Sequence, residues 1–172
     1  MATRSGKSAT EPATHGQQDG QASATQVLRR FRQVFNAVKT HFQQVEKQVG
    51  LGGAQVWALS VIHEQPDVGI GDLARAMDIH QSTASNLVKT LIERELVAAT
   101  KGEADRRSVR LRVLPAGAKL LKLAPGPFTG VLPLALQSLD AETLQRLNDD
   151  LGQLIEALHA DKRGAKKLLA GM

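Results

Sequence analysis

From Leu28 onward, apolar residues return at gaps of 3 and 4, as Leu28, Phe31, Phe35, Val38, Phe42, Val45 and Val49. A strand repeats every two residues, so this spacing belongs to a helix, and it draws the narrow stripe of a coiled-coil seam. Three heptads ending near Gly50 predict a helix roughly 35 Å long at about 1.5 Å per residue. A second stripe, Leu144, Leu147, Leu151, Leu154 and Leu158, follows Asp140, a residue suited to cap a helix N-terminus. Either the two helices pair within one chain or both interdigitate with those of a second copy. The middle of the chain has a small core of its own and leaves the stripes without cover. A homodimer is therefore expected, held by Leu28, Phe31, Phe35, Val38, Leu147, Leu151, Leu154 and Leu158.

Between the stripes, Gly53 to Glu64 reads as a short helix with Val56, Trp57, Leu59, Ser60 and Ile62, stopped by the turn "QPDVG". In "IGDLARAMDIHQSTASNLVKTLIERELV", the apolar positions Leu73, Ala74 and Met77, then Ile79, then Leu87, Val88, Leu91 and Ile92 describe two short helices joined by a tight turn near Asp78. That is helix-turn-helix spacing. Ala74 and Ala84 are small enough to let two crossing backbones approach. Val97 to Thr100 and Ser108 to Leu114 then alternate as two strands around a loop, with Val109, Leu111 and Val113 on one face and Ser108, Arg110 and Arg112 on the other. A helix is expected from Pro115, broken or kinked by Pro125, Gly126, Pro127, Gly130 and Pro133.

Charge sharpens the picture. The net charge of +5 over 172 residues is concentrated. "KGEADRRSVRLR" has five cations against two anions and "DKRGAKKLLAGM" four against one, +3 each, while the rest is close to neutral. A basic hairpin of this kind fits a polyanion, most often nucleic acid, although a charge run by itself also reads as a solvated face. The chain has no cysteine, which excludes disulfides, thiolate metal sites and thiol redox chemistry and fits a cytoplasmic setting. Residues 1–24 have no apolar run and read as a disordered tail, not a signal peptide or membrane anchor, and no later stretch has the length of a membrane span.

The order of long helix, short helix, helix-turn-helix, basic hairpin, helix and long helix resembles the multiple-antibiotic-resistance regulator (MarR) family of winged-helix transcription factors over most of residues 25–160. The most specific part is "DRRSVRLRVLPAG", which looks like that family's wing signature. "LARAMDIHQSTASNLVKTLIERELV" is similar to its helix-turn-helix. The resemblance implies a mainly α fold with a small β-hairpin wing, a winged helix-turn-helix with N- and C-terminal dimerisation helices. Residues 53–117 would form the DNA-binding domain, 25–52 and 118–160 the dimerisation helices, and 161–172 a basic C-terminal tail. Four positions depart from the pattern. Asp78 and Glu95 stand where glycine is usual, so both turns are expected to be strained or shifted. His80 replaces the usual Ser or Thr cap, and Pro115 the usual Thr after the second wing strand.

The same resemblance sends the front of the second helix into a major groove. Gln81, Ser82, Thr83, Ser85 and Asn86 are expected to meet DNA there, with Lys89 and Thr90 one turn on. The wing would place Arg107 in a minor groove, oriented by Asp105, while Lys101, Arg106 and Arg110 meet phosphate. Arg112 is as well suited to packing over the helix pair. Double-stranded DNA with an inverted repeat, read by a homodimer that acts as a repressor, is the partner implied. Family members respond to small aromatic or phenolic effectors in a cleft between dimerisation and DNA-binding parts. His41, Phe42 and Trp57 would line it here, although a lone Trp at helical spacing also reads as core and Phe42 already belongs to the seam. No cofactor is expected. No catalytic grouping or phosphate loop is visible and the five histidines show no metal spacing, although His41 and His63 stay open as ligands should folding bring them together with carboxylates. The competing reading is a winged-helix module that binds another protein and has no operator.

Overall fold

The computed structural model describes residues 22–101 and 109–159. Helix α1 runs from Ala24 to Val49 and begins with a capping box: the Ser23 hydroxyl accepts the Gln26 N–H, and the Gln26 side chain accepts the Ser23 N–H. It ends at Gly50, whose φ of 66° reverses the chain. Helix α2, Gly53–Glu64, is apolar nearly all round and sits at the centre of the fold, with Val56, Ala58, Leu59, Val61 and Ile62 buried. Its one buried hydroxyl, on Ser60, donates to the Trp57 carbonyl at 2.8 Å, so no polar group is stranded there.

Helices α3 (Ile70–Ala76) and α4 (Gln81–Glu93) pack on α2 and on each other. Strands β1 (Val97–Lys101) and β2 (Val109–Val113) pair antiparallel, with Val97 opposite Val113, Ala99 opposite Leu111 and Lys101 opposite Val109. Period-2 alternation sends Leu111 into the core with no exposure and turns Arg110 and Arg112 outward. Helix α5 spans Pro115–Leu123, α6 Val131–Gln137 and α7 Ala141–Ala157. The proline-rich segment is a full break between α5 and α6, and Pro133 is accommodated near the start of α6, where a missing N–H costs no helix bond.

The seam of α1 divides in two. Val38 and Val45 are buried within the chain, because α2, α5 and α6 pack along the C-terminal half of α1. Val27, Leu28, Val34 and Phe35 in the N-terminal half are exposed, and Phe31 stacks on Phe35 at 6.4 Å. On α7, Asp140 caps the N-terminus by accepting the Thr143 N–H at 2.8 Å. No residue of α7 is buried, and Leu144, Leu154, Ile155 and Leu158 lie open. The expectation of wholly uncovered stripes therefore applies to α7 and to the first half of α1, not to Val38, which the chain itself covers.

Candidate nucleic-acid interface

The turn between α3 and α4 is a Schellman motif. Ile79 N–H donates to Ala74 O at 2.9 Å and Asp78 N–H to Arg75 O at 3.1 Å, which forces Asp78 to a φ of 49°. The C-terminus of α4 repeats the arrangement: Leu96 N–H reaches Leu91 O at 3.0 Å, Glu95 N–H reaches Ile92 O at 2.9 Å, and Glu95 has a φ of 57°. Both left-handed positions are the ones singled out for carrying a side chain where glycine is usual. Ile79 and Leu96, the residues after them, are buried and lock each turn to the core. Ala74 and Ala84 are buried at the α3–α4 crossing.

This framework fixes the rotation of α4. Ala84, Val88 and Leu91 face the core, so Gln81, Ser82, Asn86 and Lys89 are exposed on the other side, with Thr83, Ser85 and Thr90 partly exposed between them. Ser82, Asn86 and Lys89 fall in one row along the helix. The Ser85 hydroxyl donates to Gln81 O at 2.9 Å and the Thr90 hydroxyl to Asn86 O at 3.1 Å, which leaves their oxygens as acceptors. His80 is the N-cap, with extended backbone and no side-chain cap bond, and the first turn contains no acid. The N-terminal N–H groups of α4 and the positive end of its dipole therefore present themselves outward, the arrangement that favours an anion. Lys89 lies 3.8 Å from Glu93, a loose pair that leaves the ammonium available.

On β2, Arg110 donates through Nη1 to the carbonyl of Asp67 at 3.2 Å, and Arg112 donates through Nε and Nη2 to the two carboxylate oxygens of Asp67, both at 2.6 Å. The guanidinium of Arg112, bonded to the Asp67 carboxyl, holds it below its ordinary value, with charge attraction from Arg112 and Arg110 in the same direction and desolvation opposing. Sequence reasoning left Arg112 without a partner. The available signal was the single acid in "QPDVG", but nothing local says that this turn lies beside β2. Asp105, Arg106 and Arg107 lie outside the described residues, as does the side chain of Lys101.

His41 and Phe42 serve the break between α5 and α6. His41 is buried, with Nε2 2.9 Å from the Pro127 carbonyl, and its ring meets Phe42 edge-on at 5.2 Å. The Phe42 ring occupies the space that a Cβ would need at both Gly53 and Gly130, so it is inserted between α2 and the start of α6. Trp57 lies one turn along α2 from Gly53, partly buried against the core. Among the described residues, no group of three or more histidines and carboxylates is placed to hold a metal ion, and no helix is long and apolar enough to cross a membrane.

Comparison with known proteins agrees with this geometry. Residues 49–108 match the family model described as the MarR family. YsmB of Bacillus subtilis (strain 168), an uncharacterized HTH-type transcriptional regulator, is 29% identical over 96 residues, which are 56% of this chain and 66% of the relative's length. A MepR-like protein complexed with pseudoligands shares the fold with a TM-score of 0.54 at 20% identity, over 78% of this chain and 92% of that one. The MepR–DNA complex of S. aureus aligns with a TM-score of 0.53 at 18% identity, over 79% and 96%. FabT of Streptococcus pneumoniae in complex with DNA aligns at 0.51 and 14% identity, over 80% and 98%. The matched segment runs from the C-terminus of α1 through α2, α3, α4 and β1 and ends just before β2. The chain has the winged helix-turn-helix fold of these solved structures, and its residues 49–108 are similar to the MarR family of transcriptional regulators.

Proposed function

We propose that this protein acts as a homodimer that binds an inverted-repeat operator in double-stranded DNA and represses transcription until a small aromatic or phenolic effector releases it. The observation that carries the reading is the front of α4, a helix N-terminus with no side-chain cap bond from its N-cap His80, on which Gln81, Ser82, Asn86 and Lys89 are exposed. Its N–H groups and hydroxyls suit phosphate, and the amides of Gln81 and Asn86 suit adenine. Thr83, Ser85 and Thr90 flank them. The wing adds Lys101, Arg106 and Arg110 for phosphate and Arg107 for a minor groove, with Asp105 aiming it. The open apolar faces of α1 and α7 support pairing of two copies through Leu28, Phe31, Phe35, Leu147, Leu151, Leu154 and Leu158.

An effector in the region of His41, Phe42 and Trp57 would act where α1 grips the α5–α6 break, and by linkage it lowers DNA affinity only if it prefers a different spacing of the two reading heads. With roughly four or five phosphates neutralised per subunit, affinity should fall by several decades between about 50 and 200 mM salt. Fluorescence anisotropy with random duplex DNA, followed by selection of bound genomic fragments, tests the reading. Absence of salt-dependent binding refutes it and leaves the protein-binding module, whereas an Arg107→Ala variant with unchanged affinity for a selected site refutes the minor-groove mechanism.

A further inference from the structure

Asp67 occupies the turn between α2 and α3 with a φ of 66°, and its backbone is tied to the wing independently of its side chain. Its N–H donates to Leu111 O at 2.9 Å, and Leu111 N–H donates to Val68 O at 3.1 Å, so Val68 and Leu111 form a bridge that extends the hairpin by one short edge. Val68 and Leu111 are both buried, which fixes this seam from below. Above it, both outward-facing arginines of β2 turn to the same residue, Arg110 to the carbonyl of Asp67 and Arg112, as a two-pronged fork, to its carboxylate. An exposed ion pair adds little to stability. A planar bidentate pair between backbones that are already joined instead restricts direction, because both oxygens and both N–H groups must stay in one plane.

We propose that Asp67 and Arg112 are a positioning pair of the DNA interface. They hold the wing strand at one angle to α3 and α4, and they remove Arg112 from the set of wing cations that meet phosphate. The proposal rests on the DNA-binding reading above. Arg110, which spends one nitrogen on a backbone carbonyl and is exposed, keeps its place in that set.

The test combines amide hydrogen exchange on the free protein with anisotropy on duplex DNA, for wild type, Asp67→Asn, Arg112→Lys and Arg112→Ala. Asparagine tolerates the left-handed backbone and removes the charge. Lysine keeps the charge and loses the fork. The expected result is faster exchange at the Asp67 and Leu111 amides in all three variants, with the Leu59 and Val88 amides unchanged. DNA affinity should fall severalfold in all three, while the slope of log affinity against log salt stays as in wild type for both Arg112 variants. Wild-type affinity in Arg112→Lys together with a slope shallower by about one in Arg112→Ala makes Arg112 a phosphate contact and overturns the proposal. Unchanged exchange at Asp67 and Leu111 overturns it as well. A wild-type chain that binds no duplex at low salt removes the functional reading and this proposal together, whereas normal wild-type binding with the wrong variant pattern removes the proposal alone.

Discussion

Replacing Gly117 with alanine sets two effects against each other, and the structure decides the sign. Gly117 lies in the first turn of α5, where alanine is favoured over glycine by up to about 1 kcal/mol on helix propensity. A Cβ at this position, however, would stand 2.4 Å from the Leu96 carbonyl oxygen, 2.9 Å from Val113 Cγ1 and 3.2 Å from Leu59 Cδ1. The Leu96 oxygen cannot swing away, because it accepts the Leu114 N–H at 2.9 Å and follows the Schellman turn of α4. Relief requires α5 to back off from β1, which costs about 1–3 kcal/mol of overpacking and packing loss and about 1 kcal/mol for the weakened Leu114–Leu96 bond. The net is a destabilisation of about 1–3 kcal/mol, or about 2–4 °C in Tm for each kcal/mol in a chain of this size. Urea denaturation at one fixed protein concentration measures it, with Gly71→Ala as the control. Gly71 is in the first turn of α3, with no atom within 4 Å of the added methyl, so there the propensity gain stands alone. A Gly117→Ala variant as stable as wild type would show that α5 can move freely against the wing, and the close-packing argument would be wrong.

Four further outcomes follow from the same geometry. Glu95→Gly relieves the φ of 57° at the end of α4 and should stabilise the protein by about 1 kcal/mol, read as a rise in Tm. Leu111→Ala empties a fully buried site on β2 and should cost about 2–5 kcal/mol in urea denaturation. Arg110→Ala should make the salt dependence of DNA affinity shallower by about one unit of slope without a change in Tm. Asp67, bonded by Arg112, and Asp140, bonded by the Thr143 N–H and hydroxyl, both have pKa values lowered from 3.8. Their stabilisation is complete above that value and is lost as pH falls through the lowered folded values, so Tm should drop in that acid window. The drop should be smaller in an Asp67→Asn, Asp140→Asn double variant, and an unchanged acid limb would refute the assignment.

Most of the secondary structure was legible in the residues, because helix period, strand alternation and turn chemistry are local properties. The α1 seam, the α2 run from Gly53 to Glu64, the turn at Asp78, the alternation of Val109 to Val113 and the Asp140 cap all lie where these patterns put them. The two positions expected to be strained for want of glycine, Asp78 and Glu95, are left-handed. The exposed row on α4 was also readable, since burying Ala84, Val88 and Leu91 leaves the other face outside. Long-range neighbours were not. No periodicity reports that the N-terminal half of the α1 stripe is open while α2, α5 and α6 fill the other half and bury Val38, or that Phe42 is inserted between Gly53 and Gly130. Nor does spacing along the chain pair Asp67 with Arg112. Which elements exist depends on the chemistry of residues a few positions apart. Which charge meets which, and which apolar face stays open, depends on how those elements pack in three dimensions, and only the tertiary structure decided that.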